Sequence, residues 1–104
     1  VIDGHTLNVW IDVDASVEEV VDAFKTWEAP FKGLPTQPEK SVLYLDDDNR
    51  PQPRLDRNRG NGMTVSVGRV REGIRFVAMG HNTIRGAAGA SVLNAELLHT
   101  LKYI

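Results

Sequence analysis

Two stretches of alternating apolar and polar residues, joined by a short corner, constrain the fold of this chain more than any other feature. The residues at 63, 65 and 67 are apolar and alternate with Thr64 and Ser66, and the same period of two returns over 74–78. A side-chain period of two is typical of a strand with one buried face. The Arg71-Glu72-Gly73 corner lies between the stretches, and glycine is favoured in tight turns. The pattern therefore predicts an antiparallel hairpin.

The N-terminal part of the chain predicts a strand followed by a helix. Apolar residues alternate with mostly polar ones from Leu7 to Val13, which indicates a half-buried strand. Ser16 and Glu19 form the pattern of a capping box, in which each side chain satisfies a backbone N–H of the other residue. The helix is predicted to stop at Pro30 and Gly33. The face expected to lie against a sheet consists of Val17, Val20, Val21, Phe24 and Trp27.

The remaining segments complete a β-α-β-loop-β-β-α order. Residues 41–45 predict a short strand, and the polar segment 46–62 predicts irregular structure because it contains two prolines and two glycines. From about Arg85 to Tyr103 the spacing predicts a helix. This order is typical of an α+β fold, and we expect a mixed or antiparallel sheet with helices on one face.

Composition excludes several classes of protein and of site. The 104 residues include no cysteine, which rules out disulfides, thiolate metal sites and a thiol nucleophile within them. The formal net charge of −2 gives no general attraction to nucleic acid or to anionic membranes. No apolar run approaches the roughly 18 residues needed to cross a bilayer, and none reads as a signal peptide. We therefore expect one domain at most, with neither a nucleic-acid nor a membrane partner.

The polar segment 46–62 mixes carboxylates with arginines. Counted from Asp46, the sixth and twelfth positions of a calcium loop hold Pro51 and Arg57 in place of glycine and a carboxylate, so an EF-hand is rejected. The arginines could bind phosphate, but the interleaved carboxylates and the lack of aromatic residues argue against a nucleic-acid groove. A solvated or subunit-bridging segment with internal ion pairs is favoured over an anion site.

Two stretches carry candidate chemistry. His5 follows Gly4 at the start of the first strand, and histidine is the side chain best suited to exchange protons near neutral pH. A surface or packing histidine is the alternative. In residues 80–91 a strand ends and a helix begins on small residues. Small residues allow either close approach of a ligand to backbone N–H groups or tight packing against another element, and both interpretations stay open.

Four stretches, taken in order, resemble the aspartate-β-semialdehyde dehydrogenase family in its archaeal and fungal branch. They are IDGHT at 2–6, NRPQPRLDR at 49–57, GNGMTVSVGRVRE at 60–72 and GHNTIRGAAGASVLNAELL at 80–98. Together they run nearly from end to end of the chain, and their joint order is more specific than any one of them.

The resemblance implies a two-domain enzyme similar to glyceraldehyde-3-phosphate dehydrogenase. In the family a Rossmann-type domain binds NADP, and an α+β domain supplies catalysis and a dimer interface. Residues 1–84 would form part of the catalytic and dimerisation domain, and residues 85–104 a C-terminal helix that packs back on the NADP-binding domain. The implied reaction converts L-aspartyl-4-phosphate and NADPH reversibly to L-aspartate-4-semialdehyde, NADP and phosphate, through a thioester on a cysteine.

The resemblance also implies the roles of particular residues and the setting of the enzyme. The acid/base histidine of the family's GHT motif corresponds to His5. The asparagine and small residues that lie near the cofactor correspond to Asn82, Gly86 and Ala87. No metal site is implied. The enzyme would be cytoplasmic, a homodimer or homotetramer, and part of lysine, methionine, threonine and isoleucine biosynthesis.

The chain departs from the family pattern in three ways. The catalytic cysteine, the GxxGxxG phosphate-binding region and an arginine for the substrate carboxylate have no counterpart in these residues. All three would precede Val1, so we expect Val1 to be a cut point and the Rossmann-type domain to be missing. The chain alone would then be inactive.

A chain without the cofactor domain would leave one helix face without its partner. The apolar face formed by Leu93, Leu97 and Leu101 would be exposed or covered by association. Two alternatives to the dehydrogenase stay open: a non-catalytic oligomerisation domain, and part of a related reductase of malonyl-CoA or N-acetyl-glutamyl phosphate.

Overall fold

The predicted hairpin forms the middle of a four-stranded mixed sheet. The computed structural model describes residues 3–104, with strands β1 (His5–Trp10), β2 (Val42–Leu45), β3 (Val65–Arg71) and β4 (Arg75–Gly80), and helices α1 (Val17–Thr26), α2 (Pro53–Asp56) and α3 (Gly89–Thr100). A 3₁₀ turn spans Arg59–Gly62, and a π-helical turn spans Ile84–Ala88. The strand order is β1-β4-β3-β2, with β2 parallel to β3 and the other pairs antiparallel. The predicted α+β class is confirmed.

The hairpin between β3 and β4 is confirmed, although β3 starts slightly later than predicted, at Val65. Arg71 lies opposite Arg75, and the loop between them passes through Gly73 at φ 80°. Glycine adopts this left-handed backbone without a side-chain clash, which is why the corner favours a turn. The buried apolar core comes from these strands and the turns beside them, and it consists of Met63, Val67, Ile74, Val77 and Met79.

Strand β1 lies at one edge of the sheet and is exposed. It pairs with β4 and ends at Trp10, although the alternation predicted a strand as far as Val13. The prediction of a half-buried strand is wrong, because three side chains of the face expected to be buried are exposed: Leu7 by 49%, Ile11 by 39% and Val13 by 47%. Alternation shows which side chains share a face, but burial needs a covering element, and α1 lies against β2 and β3 instead.

Helix α1 begins at the predicted capping box. The Glu19 N–H donates to Ser16 Oγ at 3.1 Å, and the Ser16 N–H donates to Glu19 Oε1 at 3.2 Å. Both donors would otherwise be unpaired at the helix start. The local sequence was therefore sufficient to place this helix end.

The packing of α1 on the sheet is aromatic. The Phe24 ring stacks on Tyr44 of β2 and meets Phe76 of β4 edge-on, with ring centroids 6.4 and 5.1 Å apart. Trp27 was predicted to share this face but is 49% exposed. The helix ends at Thr26, and the extended backbone of Trp27 takes its side chain out of the helical period.

Residues 46–62 are more regular than predicted, since they contain α2 and the 3₁₀ turn. Pro53 opens α2 at a position where proline is favoured, because its missing N–H is not needed there. The segment packs on the sheet face opposite α1. Val67 shares the face of Tyr44, so its neighbour Gly68 points the other way, where an added Cβ would lie 2.4 Å from the Arg50 carbonyl oxygen.

Gly68→Ala is expected to lower the free energy of unfolding by about 1–3 kcal/mol, because the added methyl group would force backbone atoms apart. Gly80→Ala is a matched control in the neighbouring strand, where an added Cβ would meet Val65 Cγ2 at an ordinary 3.8 Å. Denaturant unfolding of both variants measures the difference. Equal losses would show that the close approach of Arg50 to Gly68 is not the cause.

The C-terminal helix is shorter than predicted. The spacing predicted one helix from about Arg85 to Tyr103, whereas a π-helical turn comes first and α3 spans Gly89–Thr100. The glycine and alanine residues of this stretch do not carry an apolar period, so periodicity could not separate the turn from the helix. Within residues 3–104 no helix is long and apolar enough to cross a membrane.

The predicted apolar face of α3 is only partly exposed. Leu101 is 46% exposed, but Leu93 and Leu97 are half-buried. A hydrogen-bonded contact ties α3 to the loop before β2, since the Thr36 N–H and hydroxyl both donate to Glu96 Oε1, at 2.9 and 2.8 Å. The helix is thus held by polar contacts in addition to its partly covered leucines.

Candidate functional site

The GHT stretch enters β1 at the end of the sheet where β4 finishes. His5 pairs with Gly80 in the antiparallel ladder, and its side chain is exposed. Gly4 precedes it with φ +112°, and an added Cβ would lie 2.7 Å from Pro53 Cβ. Glycine therefore lets the backbone pass close to α2 and change direction, which places His5 at the first position of the strand.

Asn82 connects this entry to the turn that follows β4. Its Oδ1 accepts a hydrogen bond from the Gly4 N–H at 2.9 Å, although the two residues lie 78 positions apart in the chain. The predicted acid/base residue His5 and the predicted cofactor residue Asn82 are thus brought together. Their roles stay predictions; the geometry makes Asn82 the group that holds the residue before His5.

An open cavity of about 200 Å³ lies between β1, β4 and the π-helical turn. His5, Asn82 and Gly86 line it, together with Arg85, whereas Ala87 is exposed nearby and does not. The remaining lining residues are Leu7, Val65, Ala78, Met79, Gly80 and His81. Nearly all of the wall surface is carbon, which favours a flat apolar or aromatic group over a free anion.

Larger cavities lie elsewhere in the structure, so volume alone does not select the cavity beside His5. One of about 600 Å³ separates residues 35–39 from the start of α3, and one of about 450 Å³ lies beside Trp10. Neither is lined by a predicted site residue or by a histidine. Residues 3–104 also contain no group of three or more His, Cys, Asp or Glu side chains placed to hold a metal ion. The convergence of the candidate residues identifies the smaller cavity.

His81, which sequence analysis did not single out as a site residue, is buried beside the cavity at 7% exposure. Its Nδ1 accepts the N–H groups of Thr83 and Ile84 at 3.3 and 3.2 Å, and it lies 3.2 Å from Thr83 Oγ1. Since Nδ1 is an acceptor, we infer that the ring proton lies on Nε2. Helix starts are usually capped by Ser, Thr, Asp or Asn, so a histidine in this role gives no recognisable signal.

Some backbone N–H groups of the turn are already used within the protein. The Gly86 N–H donates to the His81 carbonyl at 3.0 Å, and the Ala88 N–H donates to the Thr83 carbonyl at 3.2 Å. These two N–H groups are therefore not offered to a ligand. This differs from the expectation that a ligand could approach the backbone N–H groups of residues 80–91. A Cβ added at Gly86 would meet only the His81 carbonyl oxygen, at 3.6 Å. The described residues do not require glycine here, which fits close approach of an external group.

A buried carboxylate stabilises the segment beside Gly4. Asp56 is fully buried and pairs with Arg50, the Gln52 N–H at 2.8 Å and Arg59 Nε at 2.8 Å. The predicted internal ion pairs are confirmed. Burial raises the pKa of Asp56, but the hydrogen bond from Arg50 and those from Gln52 and Arg59 outweigh it and lower the pKa from 3.8 to about 2.

Comparison with known proteins identifies the family. Residues 1–85 match the family described as semialdehyde dehydrogenase, dimerisation domain. This chain belongs to that family. The resemblance noted in the sequence is confirmed, and the semialdehyde dehydrogenase match covers both β1 and the hairpin.

The relatives extend this match over the whole chain. The aspartate-semialdehyde dehydrogenase of Archaeoglobus fulgidus is 52% identical over 100% of this chain and 32% of the relative's own length. That of Aspergillus fumigatus is 44% identical, over 100% and 32% respectively. A crystal structure of aspartate semialdehyde dehydrogenase with NADP from Candida albicans has a TM-score of 0.82 and 40% identity, over 98% of this chain and 31% of that chain. The chain thus spans about a third of the length of these relatives.

Proposed function

We propose that this chain is the catalytic and dimerisation part of an NADP-dependent aspartate-semialdehyde dehydrogenase, a cytoplasmic enzyme of amino-acid biosynthesis. The reaction is the reversible conversion of L-aspartyl-4-phosphate and NADPH to L-aspartate-4-semialdehyde, NADP and phosphate. One observation carries the proposal. His5, Asn82 and Gly86 converge on one cavity in a chain that matches enzymes of this name along its whole length.

The residues around the cavity fit the nicotinamide end of NADP. The wall is nearly all carbon, Gly86 leaves room for close approach, and the side chain of Asn82 is exposed at the rim. When bound, NADP supplies the acceptor or donor of the hydride. Asn82 and Gly86 would hold its ring, with Asn82 keeping its Oδ1 on the Gly4 N–H.

His5 is the group that would move the proton. Its exposed ring lines the cavity, where a ring nitrogen can exchange a proton with a thiol or a water molecule beside the reacting carbon. The 104 residues contain no cysteine, so the thiol that forms the thioester would be supplied from outside them. The chain alone is expected to be inactive.

The enzyme assay tests this function directly. In the full-length protein that carries this chain, NADP reduction should require both aspartate semialdehyde and phosphate. Oxidation of NADPH with malonyl-CoA or N-acetyl-glutamyl phosphate, without activity on aspartate semialdehyde, would assign the chain to a related reductase. Assembly of subunits without any turnover would favour the non-catalytic oligomerisation domain, the second candidate, which the family description itself suggests.

The chain contributes to subunit assembly, and we assign the enzyme to a homodimer or homotetramer. The exposed strand β1 and the residues after it carry large apolar side chains of the kind found at interfaces: Leu7, Trp10, Ile11 and Val13. Their place at an open sheet edge supports contact with a second copy of the chain.

Trp10→Lys is expected to weaken self-association by about 30-fold or more, since a tryptophan buried at an interface commonly contributes about 2 kcal/mol or more. Sedimentation equilibrium over a range of protein concentrations measures the change. Trp27→Lys, at a second exposed tryptophan beyond α1, is the matched control and should leave association unchanged. A wild-type protein that sediments as a monomer at all concentrations would contradict the assembly.

A further inference from the structure

The buried ring of His81 holds the turn that carries the site residues. Its Nδ1 accepts the N–H groups of the residues two and three positions ahead, Thr83 and Ile84. Its backbone carbonyl accepts the Gly86 N–H. The one residue is therefore bonded to the turn both where it begins and at its middle.

Asn82 lies between His81 and the start of this turn, and the direction of its side chain depends on the backbone on either side. Thr83 is anchored to the His81 ring on one side of Asn82, and β4 ends just before His81 on the other. The Asn82 Oδ1 then accepts the Gly4 N–H at 2.9 Å. A continuous path of bonded groups thus runs from the His81 ring through the turn to Gly4, the residue before His5.

We propose that His81 is a positioning residue for the dehydrogenase: its ring maintains the hydrogen bond between Asn82 and Gly4, and through that bond the place of His5. His81 acts through these groups and not on the reacting atoms. The expected effect on rate rests on the proposed function, whereas the effect on the hydrogen bonds does not.

Two substitutions test separately the hydrogen-bond acceptor and the volume of the His81 side chain. The Oδ1 of asparagine and the Nδ1 of histidine are both bonded to Cγ, so His81→Asn retains an acceptor at the same distance from the backbone, in a residue favoured at helix starts. His81→Leu retains apolar volume and leaves the N–H groups of Thr83 and Ile84 without a partner.

The full-length enzyme should show a clear split between the two variants. His81→Leu is expected to lower kcat by about 100-fold, the loss that a displacement of about 1 Å at a reacting group can cause. His81→Asn should stay within about threefold of wild type because it preserves the cap. His99→Leu, at an exposed histidine of α3, should leave kcat unchanged.

A double-mutant cycle tests the route through Asn82. If His81 acts by holding Asn82 on Gly4, then His81→Leu should have little further effect on kcat in an enzyme that already carries Asn82→Ala. Losses that multiply independently would overturn the proposal, as would an unchanged kcat in His81→Leu or an equal loss in His81→Asn.

Hydrogen–deuterium exchange gives a readout that does not depend on activity. The peptide containing Gly4 should exchange faster in His81→Leu than in wild type or His81→Asn. If the wild-type protein has no dehydrogenase activity and the variants still show this exchange pattern, then the proposed function fails. The role of His81 in holding the hydrogen bond is still supported. If His81→Leu does not fold, Asn82→Ala and His81→Asn are compared with wild type. Exchange at Gly4 that is faster than wild type in Asn82→Ala but not in His81→Asn supports the proposal. Equal exchange rates in the two variants overturn it.

Discussion

His5→Asn in the full-length enzyme is expected to lower kcat to about one thousandth of the wild-type value, since a positioned acid/base group contributes about 10²–10⁴-fold. Asparagine keeps a polar side chain of similar reach but cannot exchange a proton near neutral pH. The His5 side chain is exposed, so the free energy of unfolding should change by no more than about 0.5 kcal/mol. Initial-rate kinetics with aspartate semialdehyde, phosphate and NADP measure the loss.

The control for this experiment is another exposed histidine. His99→Asn changes the same residue type on α3, away from the cavity, and should leave kcat unaffected. Thermal unfolding of both variants confirms that the fold is intact. If His5→Asn stays within a few-fold of wild type, then His5 is a surface histidine, and the acid/base assignment fails.

Asp56→Asn is expected to lower the free energy of unfolding by about 3–5 kcal/mol, because removing one partner of a buried ion pair leaves the other charges uncompensated. Asp56 is fully buried and receives hydrogen bonds from Arg50, Arg59 and the Gln52 N–H. An amide in its place would turn N–H groups toward two guanidinium groups that also donate. Asp46→Asn, which breaks an exposed pair with Lys25, is the control and should cost no more than about 1 kcal/mol.

The same carboxylate predicts how stability depends on pH. The pKa of Asp56 falls from 3.8 to about 2 on folding, so its ionised form stabilises the folded state above pH 3.8 and this contribution is lost as pH falls through 2. A shift of this size corresponds to about 2 kcal/mol. The gap in unfolding free energy between wild type and Asp56→Asn should therefore narrow by about 2 kcal/mol between about pH 5 and pH 2. A gap that is constant over this range would contradict the pKa shift.

Local patterns predicted the elements that depend on neighbouring residues. The capping box at Ser16 and Glu19 and the turn at Gly73 are satisfied within a few positions of the chain, so the sequence was sufficient for both. The short helix α2 was missed because ion pairs around Asp56 hold a segment whose prolines and charges are typical of loops. The exposure of Leu7 was also missed, since burial depends on what covers a strand.

The candidate site could be predicted only in pieces. The resemblance pointed to His5, Asn82 and Gly86 separately, but their meeting depends on the register of β1 against β4, which no local pattern specifies. The buried His81 was missed because its cap replaces the usual oxygen with a ring nitrogen. Interactions between residues close in sequence could therefore be predicted. The assembly of the site could not, because it depends on how the strands pair in the sheet.

The pairing of β1 with β4 has a consequence for how the chain is made. Within this chain β1 is synthesised before β4, and Asn82 follows Gly4 by 78 positions. At ~5–20 residues per second, roughly 4–16 s separate the two on the ribosome. During that interval the strand that contains Leu7 and Trp10 is without its β4 partner and offers apolar side chains and open backbone groups to chaperones and to neighbouring nascent chains. Translation that stops before β4 leaves a product in which His5 and Asn82 can never meet.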